Sequence, residues 1–421
     1  MSGRVVRSEV DPAAIPAPAR EICAALRADG HGAWVVGGCV RDHLLGRAVS
    51  DWDLCTSARP ERVMRLFPRT IPTGIAHGTV TVVRDHEHFE VTTLRGDGDY
   101  TDGRRPDAVR FLDDIADDLA RRDFTVNAIA YDPISGVLVD PHGGLDDLRR
   151  GLLRAVGDPS LRFGEDGLRV LRGARFTASL GFDLEPATEA AIPGALHVLR
   201  RVSPERVREE WLKALKAPAP SRAFAVMART GILAINIPAL TAPSKDPAEW
   251  ERSLRAVDAC PPLATSRLAA LLHTVEAPLL EAWLRMTKFS NDERATVMTL
   301  RRALPLGAPG GWSDAEVRRW LRKVGRGAAR EVLDVAASLE DEDSLEGLRA
   351  RVEAAIAAGV PLSVAELAID GNAVMAALGM TPSRALGTLL SGLLERVLDD
   401  PSRNTPEALM ELAREAHALP R

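Results

Sequence analysis

Apolar residues along this chain follow two rhythms, and the change from one to the other divides it. Up to about residue 145, short apolar or β-branched runs alternate with short helical stretches. Ala33 to Val36, Asp51 to Cys55, TVTVV (79–83) and FEVTTL (89–94) read as strands bounded by turn residues. Residues 19–29 carry helical spacing that ends at Gly30, Cys39 to Leu45 is an amphipathic helical segment stopped by Gly46, and Pro60 opens the helix PERVMRLF. Residues 113–132 begin with an acidic helical turn, reach Arg121-Arg122-Asp123, and continue as an apolar segment carrying Asn127. LVDPHGGLDDLRRG (138–151) is a turn into a helix. RFGEDGLRVLRGARF (162–176) reads as one helix, and VSPERVREEWLKAL (202–215) as another with a Ser cap and Pro204. Beyond about 217 the pattern is helix after helix broken by Pro or Gly, with no short repeat, while residues 1–18 read as a loose polar lead-in.

This pattern predicts an α/β head over residues 1–145 with a small mixed sheet, an all-α neck over 146–216, and a helical body and tail over 217–421. The length of 421 residues fits two or more domains. With 4% aromatics against a hydrophobic content of 46%, the composition leans on Ala, Leu and Arg and so toward helix. No apolar run reaches the length of a membrane span and residues 1–13 contain no apolar signal core, so the expectation is a cytoplasmic protein with no membrane association. Cys23, Cys39, Cys55 and Cys260 form no C-x-x-C spacing and are expected to be buried thiols. A net charge of −5 argues against binding nucleic acid with the whole surface, but leaves room for a local basic groove.

The chemistry is concentrated where residues 34–54 read WVVGGCVRDHLLGRAVSDWDL. A strand ends at Gly37-Gly38, a helix follows, and a second short run carries Asp51 and Asp53. Strand periodicity puts both acids on one face and Trp52 on the other. Two carboxylates held side by side repel; a hard cation such as Mg²⁺ offsets that repulsion. Glycines between strand and helix let the backbone approach a phosphate closely. Either feature alone is usually structural, a tight turn or a solvated edge. Together, in this order, they point to phosphoryl or nucleotidyl transfer.

The string G-G-x-V-R-D-x-L-L-G-x-x-x-x-D-x-D resembles the signature of the class II tRNA nucleotidyltransferase (CCA-adding enzyme) and bacterial poly(A) polymerase family, and every fixed position is matched. The resemblance implies a head like the polymerase-β palm, with Asp51 and Asp53 holding one or two Mg²⁺ ions and Gly37, Gly38 and Arg41 cradling the triphosphate. In such a fold Glu90 is a candidate third acid; the plain alternative is a surface acid on an edge strand. GIAHGTVTV (74–82) is closer to the CCA-adding branch than to the poly(A) polymerase branch. RGDGDYTDGRRP (95–106) has the composition of a surface loop, and it resembles the loop that CCA-adding enzymes use when switching to the final adenosine. R-R-D-F-T-x-N-A resembles a further family motif, in which Arg121 and Arg122 suit a polyanion and Asn127 a ribose or phosphate.

Within 162–176, Asp166 and Arg169 lie three apart, with Arg172 and Arg175 farther along; taken alone, this is a salt-bridged surface helix. A carboxylate accepts from an exocyclic amine, and a guanidinium donates to a ring nitrogen or carbonyl. Cytosine and adenine both present an amine beside an acceptor nitrogen, so one Asp–Arg pair could read either base. E-D-x-x-R resembles the family's template for choosing the incoming nucleotide. Gly167 stands there at a cost to helix propensity that the sequence does not explain. The 202–215 helix resembles the last neck motif, which supports its neighbour. His273 is followed by Thr274 rather than Asp, so no phosphohydrolase activity is expected and His273 reads as an ordinary helix residue. Residues 369–405 resemble the tail of bacterial members, though Ser383 stands where Gly is common.

The resemblance runs motif by motif from about 33 to 215 and implies an enzyme that adds or repairs the CCA end of tRNA from CTP and ATP. Its partners would be the tRNA 3′ end and the two nucleotides, with no obligate protein partner. An A-adding enzyme, a poly(A) polymerase and a non-catalytic tRNA-binding protein remain the alternatives.

Overall fold

The computed structural model describes residues 10–96, 110–238, 246–307, 309–340 and 343–418. The chain forms two compact units, Met1–Thr241 and Ala242–Arg421. The first opens earlier than its composition suggests. Asp11 caps a 3-10 turn at Pro12–Ala14, its backbone N–H donates to His43 Nε2 at 3.1 Å, and Val10 and Ile15 are buried. The segment expected to be a loose lead-in is therefore packed from residue 10 onward.

Helix α1 (Ala17–Ala28) packs its apolar stripe of Ala19, Ile22, Cys23 and Leu26 inward and leads to β1 (Ala33–Val36). Helix α2 (Gly38–Leu44), β2 (Leu54–Thr56), α3 (Pro60–Leu66), β3 (Thr70–Gly74), β4 (Thr79–Arg84) and β5 (Glu87–Thr93) follow. A two-residue ladder joins β6 (Arg95–Gly96) to β7 (Arg110–Phe111). The adenosine-switching loop expected over 95–106 therefore has its first two residues in a strand; residues 97–106 lie outside the described residues. After α4 (Ile115–Ala120) the chain returns through β8 (Ala130–Tyr131) and β9 (Leu138–Val139). The seven-stranded sheet has the order β3-β4-β5-β2-β1-β8-β9. It is mixed because β2 runs parallel to β5 while the other neighbours are antiparallel. Val36, Cys55, Leu94, Ile115, Leu119 and Ala128 form a core beside it.

Then comes α5 (Gly144–Arg150), entered at Gly143 and left at Gly151, both with φ near +70°. A short parallel pair follows, β10 (Leu152–Leu153) with β11 (Asp183–Leu184). The helices here are α6 (Pro159–Glu165), α7 (Leu168–Leu180), α8 (Pro186–Leu199), α9 (Pro204–Leu215) and α10 (Pro220–Arg229). They pack through Phe124, Phe163 and Phe176 and through the Trp211–Phe224 pair, whose centroids are 5.2 Å apart. Burying each such ring contributes about 1.5–3 kcal/mol. Ser203 stands at the N-cap of α9, but its side chain makes no capping bond.

One expectation is corrected here. Residues 162–176 are not one helix. The backbone becomes extended at Asp166 (φ −144°, ψ 109°), which separates α6 from α7. Gly167 explains the break. A Cβ there would lie 2.4 Å from Leu199 N and 2.6 Å from Leu199 Cα, so only glycine lets this corner seat against the end of α8.

The second unit is helical throughout its described residues, from Pro247–Ala259 to Pro406–Ala418. Capping boxes at Ser290/Glu293 and Ser313/Glu316 start two of its helices. Its core gathers Leu300, Trp320, Leu333, Val352, Leu394 and Leu409. His273 lies just past the end of the Ala264–Leu271 helix rather than within it, held by Glu249 Oε1 at 2.7 Å and the Ala270 carbonyl at 2.8 Å. No helix among the described residues is long and apolar enough to cross a membrane.

Candidate active site

The acidic edge comes from strand register. Asp51, Trp52 and Asp53 immediately precede β2, with Trp52 buried between two exposed acids. The acids thus share a face, though on the strand's lead-in and not within the strand; Val36 N donates to the Asp53 carbonyl at 3.1 Å. Parallel pairing sets Leu54 opposite Val91, so Asp53 and Glu90 stand side by side one residue earlier on each strand. Strand β5 lies inside the sheet, which removes the edge-strand reading of Glu90. Asp51 takes a hydrogen bond from Ser50 Oγ at 2.8 Å. The Asp53 carboxyl is pushed up by desolvation, then by Glu90, with a smaller push from Asp51, while Arg122 opposes them. A hard cation relieves such crowding, and oxygen-only donors suit one. Among the described residues no group of three or more such side chains is gathered closely enough to hold a metal by itself.

Gly37 and Gly38 form the corner between β1 and α2. Gly37 has φ +76°, and a Cβ on it would lie 2.5 Å from Arg122 Nη1. The left-handed backbone at this corner favours glycine, and the space above it is taken by the tip of the Arg122 side chain. Arg41, one turn into α2, forks onto Asp42 (3.0 and 2.8 Å) and donates to Asn127 Oδ1.

The arginine wall is held by buried acids. Asp118 on α4 accepts from Arg121 Nε at 3.1 Å and Arg122 Nη2 at 3.4 Å. Burial works to raise its pKa, but the two arginines outweigh that and hold it below the ordinary carboxylate range. Asp123 is a hub. It accepts from Phe124 N (2.8 Å), Asn127 Nδ2 (3.0 Å) and Arg172 Nε (2.6 Å). Burial acts against its ionisation, yet Arg172 and Asn127 keep it well below the usual range. Arg175 pairs through Nε with buried Glu210 at 2.5 Å.

The break at Asp166 gives that carboxylate two partners. One oxygen accepts from Leu168 N, the first residue of α7, at 2.9 Å; the other accepts from Arg206 Nη2 at 2.7 Å. Arg169 is the second residue of α7. It is clasped by Glu165, the Arg162 carbonyl (2.8 Å) and the Arg121 carbonyl (3.0 Å). Both groups are thus held by several partners each.

Strands, α2, α4, α7 and α9 enclose one polar cleft of about 680 Å³. Asp53 and Glu90 line it, as do Gly38, Arg41 and Asn127 and all the arginine candidates from Arg121 to Arg175; Asp51 and Gly37 do not. Sequence reasoning gave no site role to Asp118, Asp123, Phe176 and Lys213 and read the helix of Arg206 as structural support, yet all five line it too. Asp123 lies inside a quoted family motif, Phe176 ends the 162–176 stretch, and Arg206 and Lys213 lie in the 202–215 helix. The four cysteines are buried and free, and burial raises Cys23 to about 12 and Cys39 and Cys260 to about 11. They are protonated packing groups, not nucleophiles.

Known proteins resemble this chain over most of its length. The family profile described as the Poly A polymerase head domain matches residues 33–154. The probable RNA and SrmB-binding site of polymerase A matches 181–242, and a putative tRNA nucleotidyltransferase domain 2 matches 264–413. The CCA-adding enzyme of Geobacillus thermodenitrificans is 36% identical over 392 residues, covering 91% of this chain and 93% of its own. That of Geobacillus stearothermophilus is 42% identical over 298 residues, 69% of this chain and 71% of its own. The crystal structure of the Bacillus stearothermophilus CCA-adding enzyme in complex with CTP superposes with a TM-score of 0.80 at 33% identity, over 96% of this chain and 98% of that one. The Thermotoga maritima enzyme complexed with tRNA shares the fold, with a TM-score of 0.66 at 20% identity over 98% of this chain and 99% of its own. Nucleotidyltransferases of this kind generally depend on a divalent metal. The chain belongs to the CCA-adding enzyme family of tRNA nucleotidyltransferases, with a head of the kind found in poly(A) polymerases.

Proposed function

We propose that this enzyme adds or repairs the CCA end of tRNA, using CTP and ATP without a nucleic-acid template. The observation that carries this reading is a single cleft with an acidic edge, a wall of arginines and a pinned Asp166 and Arg169. Asp51 and Asp53 would hold Mg²⁺, with Glu90 alongside. The ion when bound supplies charge neutralisation at the reacting phosphate and favours the ionised form of a hydroxyl near it.

The protein's own groups do the rest. Gly38 leaves the corner open to phosphate, and Arg41, Arg121, Arg122, Arg172 and Arg175 receive the triphosphate. Held this way, the α-phosphate faces the tRNA 3′ hydroxyl in line, and pyrophosphate leaves along the arginine wall. Asn127, set by Asp123 and Arg41, is placed for ribose or phosphate. Asp166 accepts from the amine of cytosine or adenine, and Arg169 donates to the neighbouring acceptor. A uracil or guanine would set a carbonyl against the Asp166 carboxylate, with no donor between them.

In this proposal residues 1–145 are the catalytic head, 146–216 the neck that selects the base, and 217–421 the body and tail that grip tRNA. Four reduced, buried thiols suit the cytoplasm, where we place the reaction. The test uses two defined tRNAs, one ending at the discriminator base and one in CC, with CTP and ATP supplied separately and together. Extension of both to CCA is the expected result. Extension of only the CC-ended tRNA by one A would reassign the chain as an A-adding enzyme, and long A tails would make it a poly(A) polymerase.

A further inference from the structure

We infer that Phe176 is a positioning residue for triphosphate binding: its ring is the common surface on which Arg41, Arg172 and Arg175 are laid facing the cleft. This deepens the nucleotidyl-transfer reading above and rests on it.

The ring is only 4% exposed, yet it reaches the cleft lining. The guanidinium carbons of Arg175, Arg172 and Arg41 lie 3.8, 5.3 and 5.4 Å from its centroid. All three fall within the range at which an aromatic face attracts a cation, roughly 6 Å. Phe124 meets the ring edge-on at 5.8 Å and 84°, and Phe124 is itself fully buried, so the ring is fixed in orientation.

Three like charges around one point repel, and carboxylates alone would solve this by neutralising them. Here the carboxylates grip from the back. Asp123 and Glu210 take the Nε of Arg172 and Arg175, and Asp42 takes Nε and one Nη of Arg41. The ring supplies attraction to the faces without accepting a hydrogen bond. The carboxylate bonds to Arg172 and Arg175 are made through Nε, and both residues line the cleft, where a ligand would meet their terminal nitrogens. Phe176 also joins segments distant in sequence, since Arg41 belongs to α2 and the other two to α7. The competing reading is an ordinary core phenylalanine that only fills space.

The substitutions Phe176→Leu and Phe176→Tyr separate the two. Leucine keeps apolar packing and removes the aromatic face; tyrosine keeps the face. Steady-state addition is measured with CTP and with ATP, and inorganic pyrophosphate binding by calorimetry. For F176L the expected result is a rise of roughly tenfold in KM for both nucleotides, equivalent to about 1.4 kcal/mol, and a matching loss of pyrophosphate affinity. The maximal rate and the preference for CTP over UTP stay unchanged, because the lost interaction is the same in ground and transition states. F176Y restores both affinities. If F176L fails to fold by circular dichroism, Phe176→Met serves in its place. A leucine or methionine variant that folds and binds pyrophosphate as the wild type does would overturn the inference alone. A wild type that extends neither tRNA would overturn the reading of the reaction, and the inference with it.

Discussion

Arg206 reaches from α9 to donate to Asp166 at 2.7 Å, and the second oxygen of the same carboxylate accepts from Leu168 N, at the start of α7, at 2.9 Å. The acid proposed to read the base is thus held as an acceptor from two sides, by a residue forty positions away in sequence. Removing Arg206 frees the carboxylate to turn without removing it.

Arg206→Met is therefore expected to lower the preference for CTP over UTP by roughly tenfold, with Arg206→Lys intermediate, consistent with the loss of a charge-assisted hydrogen bond of about 1.5–3 kcal/mol. Asp166→Ala should relax base choice further. The ratio of kcat/KM values for the two nucleotides measures both. An unchanged ratio in Arg206→Met would show that α9 supports the fold and nothing more.

Gly167→Ala should destabilise the first unit. Its Cβ would meet Leu199 N at 2.4 Å and Val198 C at 2.6 Å, both backbone atoms that cannot step aside cheaply. Overpacking of this kind costs about 1–3 kcal/mol. Thermal unfolding reads the cost. Because the same corner carries Asp166, base discrimination should weaken along with stability.

Asp53 makes stability depend on pH in a direction opposite to most carboxylates. Its pKa is raised in the fold, by desolvation first and by Glu90 next. A raised acid costs stability once ionised; the cost is absent below its ordinary value of 3.8, grows as pH rises through the folded value, and is full above it. Asp53→Asn should therefore raise the thermal midpoint at neutral pH in metal-free buffer, and the difference should vanish in acid. It should also abolish nucleotide addition. Added Mg²⁺ should stabilise the wild type and leave the variant unmoved.

Asp123 gives the opposite sign. Although burial opposes it, the carboxyl is held well below 3.8 by Arg172 and Asn127. Its contribution is complete above 3.8 and is lost as pH falls through the folded value. Asp123→Asn leaves Arg172 without its charge partner and should cost about 2–3 kcal/mol near neutrality, a buried-pair loss discounted because Arg172 is partly exposed. The gap between variant and wild type in chemical denaturation should shrink in acid. Nucleotide addition should fall as well, since Arg41, Asn127 and Arg172 are linked through this acid.

Much of this was legible along the chain because it is local. The glycine pair, the alternation of Asp51, Trp52 and Asp53, and the proline at the start of α9 follow from backbone periods and turn chemistry. The reading failed where two distant segments settle the outcome. Residues 162–176 have unbroken helical spacing, yet the helix stops at Asp166 because α8 presses its end against Gly167. His273 sits in an apolar helical run, yet lies beyond the helix end, held by Glu249. Glu90 was open between metal site and surface edge; the parallel pairing of β2 with β5 makes its strand an interior one, while Glu90 itself stays exposed.

The sequence alone determined the family, the α/β head followed by helices, and the residue types that meet phosphate, because motifs and periodicity are properties of neighbouring residues. Only the tertiary structure decided which groups hold those residues in place. Asp118, Asp123, Glu210, Arg206 and Phe176 orient the chemistry from other elements. Their positions depend on strand register and helix contacts across tens of residues, which no local pattern encodes.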